Sequence, residues 1–127
     1  MAVTVLMVDD SKLARIVAGK AIAALQPDWT RVEAGNAADA LEIVGSRQID
    51  VAVLDFNMPD KDGLELAKEL RALHPKMPIA VITANVQDEI IAAVRALNGT
   101  FVAKPVTEEA LSGFISGAAL RFRNADL

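Results

Sequence analysis

Short, almost unbroken apolar runs alternate along the chain with longer segments whose apolar positions recur every three or four residues. Gly, Pro or Asn falls between them. Val3 to Val8 (VTVLMV) predicts a strand covered on both faces. Ser11 is then placed to cap a helix running to about Leu25, with Leu13, Ile16, Val17, Ala21 and Ala24 on one face. Pro27 ends that helix. A weaker strand, about Trp29 to Ala34, leads through Gly35-Asn36 to a second helix carrying Ala37, Leu41 and Val44. Val51 to Leu54 is the third strand, and a loop from Phe56 to Gly63 leads to a helix with Leu66, Leu70 and Leu73, stopped by His74-Pro75. Ile79 to Ile82 is the fourth strand. The helix after it carries Ile90, Ile91, Val94 and Leu97 and closes at Asn98-Gly99. Thr100 to Ala103 is the fifth strand, and Leu111, Phe114, Ile115, Ala118 and Phe122 form the inner face of the last helix.

Five strand–helix repeats with doubly covered strands imply an α/β domain, a parallel sheet with helices on both sides. A chain of 127 residues is one domain's worth, so residues 1–127 are expected to form a single unit. The formal net charge of −4 argues against a nucleic-acid-binding surface. Cys is absent and His74 is the only histidine, which excludes disulfides, thiolate ligands and any two-histidine metal site. No apolar run is long enough to span a bilayer, and the first residues do not resemble a secretory leader. The expectation is therefore a cytoplasmic domain without a membrane partner, whose chemistry rests on carboxylates, hydroxyls, amines or backbone.

In an open parallel sheet the carboxyl ends of the strands lie along one edge, where ligands bind. Four of the five strands deliver polar residues there: Asp9 and Asp10, Asp55, Thr83 and Lys104. Two carboxylates about 4 Å apart repel by roughly 4 kcal/mol at an effective dielectric near 20, and a third adds to that. One lysine does not balance three such charges. A hard cation with oxygen ligands does, and Mg²⁺ suits few carboxylates, several waters and an incoming phosphate. Mg²⁺, an ammonium and a hydroxyl together are suited to phosphoryl transfer. No glycine-rich phosphate loop follows the first strand, so the better reading is a carboxylate that itself accepts the phosphoryl group.

Asp9-Asp10, Asp55 with Met58-Pro59 and Asp62-Gly63, Thr83, and Lys104-Pro105 resemble, in order and over about Val3 to Phe122, the receiver domain of bacterial two-component response regulators. The resemblance implies a doubly wound (βα)5, flavodoxin-like or CheY-like sandwich of strand order 2-1-3-4-5. It implies Asp55 as phosphoacceptor, taking the group from a phosphohistidine on a histidine kinase or histidine phosphotransfer protein. Mg²⁺ would be held by Asp9, Asp10, Asp55 and the backbone carbonyl of Asn57. Lys104 and Thr83 would contact the phosphoryl group, Phe101 would turn inward behind Thr83, and the Lys104-Pro105 bond would be cis. Asn57 and Asn85 would influence how long the phosphate survives. The module would phosphorylate and dephosphorylate itself without being a turnover enzyme.

Phe101 stands where Tyr is common, so the switch ring has no hydroxyl, and Lys61 replaces an apolar residue. Phe56 follows the acceptor, while the only Trp, Trp29, reads as packing and His74 as a surface loop residue. A haloacid-dehalogenase-type phosphatase would need a second Asp where Asn57 stands. The last helix is uncharged from Ala110 to Leu120, and Gly113 and Gly117 with Ser112 and Ser116 make its outer face smooth. A downstream protein or a second copy of the chain is expected to dock there, on the fourth helix, fifth strand and fifth helix. The alternatives are a receiver that is a piece of a longer regulator and a constitutive interaction domain not controlled by phosphorylation.

Overall fold

Alternation along the strands divides the interior into two cores, one on each side of the sheet. In the computed structural model, which describes residues 3–84 and 86–125, the elements are β1 (Thr4–Val8), α1 (Lys12–Leu25), β2 (Thr30–Ala34), α2 (Ala37–Ser46), β3 (Val51–Asp55), α3 (Gly63–Leu73), β4 (Ile79–Thr83), α4 (Asp88–Ala96), β5 (Thr100–Ala103) and α5 (Glu108–Ala125). All strand pairs are parallel and the order is β2-β1-β3-β4-β5, as expected. Val5, Met7, Val51, Val53, Ala80, Ile82 and Val102 point to the side covered by α1 and α5. Leu6, Val8, Ala52, Leu54, Ile79 and Val81 point to the side covered by α2, α3 and α4. Every residue of β3 and β4 is buried, whereas the edge strands β2 and β5 are partly exposed. Among the described residues no helix is long and apolar enough to cross a membrane.

Local signals explain the helix ends. Ser11 accepts from the Ala14 N–H, Asn36 from Asp39 and Asp62 from Glu65, each satisfying an otherwise unpaired donor of the first turn. His74 ends α3 with its N–H on the Leu70 carbonyl at 2.7 Å. After α4 the left-handed position falls on Asn98 (φ 58°), and Gly99 provides close approach instead, since a Cβ there would meet the Val94 carbonyl oxygen at 3.1 Å.

Two apolar faces differ from expectation. In α1, Leu13, Ile16 and Val17 are 70%, 41% and 42% exposed. The buried residues are Ala18, Ala21 and Ile22, with Leu25 packed beside them. The helix is apolar nearly all round, so periodicity alone allows two overlapping stripes, and packing against α5 selects the one with small residues. In α3, Leu66, Ala67 and Leu70 are buried but Leu73 is 60% exposed, and Met77 from the following turn joins the core instead. The face of α5 is as expected: Leu111, Phe114, Ile115 and Ala118 are buried and Phe122 packs against them. Trp29 is buried in the same core, and His74 is exposed.

Candidate functional site

The carboxyl ends of β1 and β3 are neighbours in the sheet, which brings the residues that follow them together. Asp55 is the last residue of β3, the central strand, and is only 3% exposed. Its chain continues as Phe56, whose N–H donates to the Ile82 carbonyl at 2.8 Å and so fixes the strand end against β4. Asp9 follows β1. Its N–H donates to the Ala34 carbonyl at 3.1 Å, and its carboxylate accepts from the Ser11 N–H at 2.9 Å. Asp10 is exposed beside it. Ligating oxygens of Asp9, Asp10 and Asp55 all lie within 4.8 Å of one another.

The other side of the cleft comes from β4 and β5. Thr83 ends β4 and is fully buried. The Lys104 N–H donates to the Thr83 carbonyl at 3.1 Å, and the Lys104-Pro105 bond is cis. Lys104 Nζ stands 2.8 Å from Asp55 Oδ1, an ion pair. This ion pair reaches an oxygen of a carboxylate that is otherwise withdrawn from solvent. All five expected cleft side chains, Asp9, Asp10, Asp55, Thr83 and Lys104, thus sit at one edge of the sheet. Asn57 is exposed in the loop after Asp55, and Phe101 is half-buried on β5 against the core shared with α2, α3 and α4. Asn85 lies outside the described residues.

The electrostatics follow from the crowding. Contact with the Asp55 carboxylate holds the Lys104 ammonium above its ordinary pKa against partial desolvation, with Asp9 and Asp10 contributing at longer range. Desolvation pushes the Asp9 carboxyl up, Asp55 and Asp10 add to this, and the Ser11 N–H and Lys104 only partly offset it. Three clustered carboxylates, one of them buried, form an oxygen donor set that a hard divalent cation fits.

Several residues that shape the cleft carry no side-chain signal in the sequence that points to their partners. Gly63 allows α3 to begin directly against the end of β3, because a Cβ there would lie 2.3 Å from the Asp55 carbonyl oxygen. Asp60 reaches from the β3–α3 loop to the N-terminus of α2, accepting from Ala37 at 3.3 Å and Ala38 at 3.2 Å. Desolvation would raise its carboxyl, but these N–H groups and that of Lys61 hold it below its ordinary value. Lys61, odd in an otherwise familiar loop, pairs with Glu69 on α3.

Residues 5–116 match the model of the response regulator receiver domain, and the chain belongs to that family. It is 34% identical over 109 residues to the probable transcriptional regulatory protein TcrX of Mycobacterium tuberculosis, covering 84% of this chain and 45% of that protein. It is 36% identical over 110 residues to the cyclic di-GMP phosphodiesterase response regulator RpfG of Xanthomonas campestris pv. campestris, covering 84% of this chain and 29% of that one. The chain therefore spans less than half the length of these curated relatives. Among solved structures, the chemotaxis protein CheY4 of Vibrio cholerae superimposes with a TM-score of 0.82 at 25% identity, over 93% of this chain and 99% of that one. The signal receiver domain of an HD domain-containing protein from Pseudomonas fluorescens Pf-5 shares the fold, with a TM-score of 0.86 at 19% identity over 98% and 99% of the two chains.

Proposed function

Because the chain is a two-component receiver domain, we propose that it is a phosphorylation-controlled switch whose acceptor is Asp55. The observation that carries this reading is the buried Asp55 carboxylate, paired with the Lys104 ammonium in a cleft shared with Asp9 and Asp10. An Asp55 oxygen attacks the phosphorus of a phosphohistidine on a histidine kinase or phosphotransfer protein. The O–P bond forms as the N–P bond breaks, and the donor departs as neutral imidazole, its other nitrogen already carrying a proton. Asp9, Asp10, Asp55 and the Asn57 carbonyl would hold Mg²⁺, which would supply positive charge beside the transferring phosphoryl oxygens. Lys104 is already oriented toward the acceptor and follows the new negative charge onto the phosphoryl group. Thr83 and Phe101 carry the change to the α4-β5-α5 face. Water later attacks the aspartyl phosphate, releasing inorganic phosphate and restoring the carboxylate, with Asn57, two residues after the acceptor, bearing on its approach. The acceptor is the domain's own side chain, so the module is a signalling element and not a turnover enzyme.

A protein donor is favoured by the surroundings of the cleft. Leu13 and Val17 of α1, with Pro105 and Val106, form an apolar lip continuous with Asp9 and Lys104. On the output side Gly113 and Gly117 of α5 have open space above them, and Ser116 and Leu120 are exposed between and beyond them. That smooth face is the proposed site for a downstream target or a second copy of the chain.

Incubation with Mg²⁺ and acetyl phosphate, followed by intact-mass measurement, tests the reading. A single phosphate adduct on the wild-type chain and none on Asp55→Asn is expected. An unmodified wild-type chain would overturn the proposal in favour of a constitutive interaction domain.

A further inference from the structure

Behind the acidic cleft stands a cation that the phosphoryl chemistry does not use. Arg15, on the first turn of α1, is largely withdrawn from solvent, its side chain 17% exposed. Its Nε donates to Glu33 Oε1 on β2 at 2.8 Å, and its Nη1 donates to the Asp9 backbone carbonyl at 2.6 Å. Only Asp9, Asp10 and Ser11 connect β1 to α1. Asp9 is therefore held at its N–H by Ala34, at its carboxylate by the Ser11 N–H, and at its carbonyl by Arg15. Glu33 offsets the guanidinium charge, so the arginine reaches the Asp9 carbonyl as a neutralised, forked brace.

We propose that Arg15 is a positioning residue for divalent-cation binding: bridging β2 to the Asp9 carbonyl, it sets the Asp9-Asp10 backbone so that both carboxylates face Asp55 before the ion arrives. The inference rests on the Mg²⁺ reading above. Without the brace, the connection between β1 and α1 must be ordered when the ion binds. Ordering one backbone residue at that moment weakens binding about five- to thirty-fold. Simple electrostatics makes the opposite demand. A cation near a cation site repels it, so removing the guanidinium would tighten Mg²⁺ binding if charge were its main effect. The sign of the change separates the two roles.

The test is calorimetric titration of metal-free protein with Mg²⁺ alone, for the wild type, Arg15→Met and Arg15→Lys, together with amide exchange of the metal-free forms. Arg15→Met is expected to bind Mg²⁺ about five- to thirty-fold more weakly, with faster exchange confined to residues 9–15. Arg15→Lys keeps the charge but replaces the two-nitrogen planar fork with a single ammonium on a shorter reach, so it also binds Mg²⁺ more weakly. Mg²⁺ binding by Arg15→Met as tight as, or tighter than, that of the wild type overturns the inference and leaves the acceptor site intact. If Arg15→Met fails to fold, wild-type affinity in a folded Arg15→Lys overturns it equally. A wild-type chain that takes up no Mg²⁺ overturns the acceptor-site reading and this inference with it.

Discussion

Replacing Gly63 by alanine places one carbon where the first turn of α3 meets the end of β3. That Cβ would lie 2.3 Å from the Asp55 carbonyl oxygen and 2.9 Å from both the Asp55 carbonyl carbon and the Phe56 Cα. Ordinary contacts of this kind begin near 3.4 Å, so the oxygen and the new carbon must separate by about 1 Å. All three atoms are backbone, and β3 is paired on both sides, so no side chain can turn aside to make the room. Overpacking a core costs about 1–3 kcal/mol, and rigid neighbours place Gly63→Ala near the upper end. An opposing term exists, since alanine at a helical position reduces the entropy of the unfolded chain and stabilises by about 0.4–1 kcal/mol. The net expectation is a loss of about 2 kcal/mol, or roughly 8 °C in Tm for a domain of this size. Relief of the contact also displaces Asp55, so phosphorylation by acetyl phosphate should slow further than stability explains. Thermal and urea unfolding give the first quantity, and time-resolved intact mass gives the second. A Gly63→Ala chain as stable as the wild type, with an unchanged phosphorylation rate, would refute the close-approach argument.

Arg71 donates to the carbonyls of Leu97 and Met77 at 2.7 Å, with longer bonds to Pro75, His74 and Asn98. Arg71→Met leaves the two short, part-buried acceptors unserved at about 1–2 kcal/mol each, so urea unfolding should show a loss of about 2–4 kcal/mol; under 1 kcal/mol would mean water replaces the guanidinium without cost. Asp9 has a raised folded-state pKa, so its contribution to stability is present below its ordinary value of 3.8 and lost as pH rises through the folded value. At neutral pH its charge is therefore a cost, and Asp9→Asn, which keeps the acceptor for the Ser11 N–H, should stabilise the metal-free chain by about 0.5–1 kcal/mol after solvent screening. An unchanged or lower Tm in the absence of Mg²⁺ would contradict this. Lys104 also has a raised pKa, so its pairing with Asp55 stabilises the fold below the ordinary lysine value of 10.5 and is lost as pH rises through the folded value. The stability difference between wild type and Lys104→Met, about 1 kcal/mol at pH 7, should shrink above pH 10.5. A difference that stays constant to pH 11.5 or so would show that the ammonium's charge is not what matters.

Some features of this molecule are written in side chains and others only in backbone. Val53 and Leu54, or Val81 and Ile82, announce a doubly covered strand because apolar residues on successive positions must face both layers. Asp9, Asp10, Asp55, Thr83 and Lys104 are legible as a cleft because each follows or ends such a strand, and parallel topology sends all those ends to one edge. Arg15 and Arg71 are different. Arg71 donates to carbonyl oxygens and Arg15 reaches the Asp9 loop through one, and every residue carries a carbonyl, so no partner residue type marks those contacts. A basic residue in the last turn of a helix hints at Arg71, since it complements the unpaired carbonyls there, but not at its reach to Leu97.

The misread face of α1 has another cause, and it bears on what the cleft does. Apolar periodicity assumes that large apolar side chains seek the core, and α1 offers Leu13, Ile16 and Val17 for that purpose. The fold uses Ala18, Ala21 and Ile22 instead, because small residues let α1 lie close to α5. Leaving a leucine 70% exposed forgoes about 1–2 kcal/mol of burial in the isolated domain. The exposed residues are not scattered, since Leu13 and Val17 border the same cleft as Asp9 and Lys104. Violations of the hydrophobic pattern concentrate where a sequence serves something other than its own stability. The two violations differ in kind: the crowded carboxylates suit the proposed cation, and the apolar lip beside them suits the proposed protein donor. Substituting Leu13 and Val17 by serine should therefore leave Tm nearly unchanged and leave acetyl phosphate as good a donor as before. Transfer from a phosphohistidine protein should slow, and equal slowing with both donors would place the effect in the cleft and not on the lip.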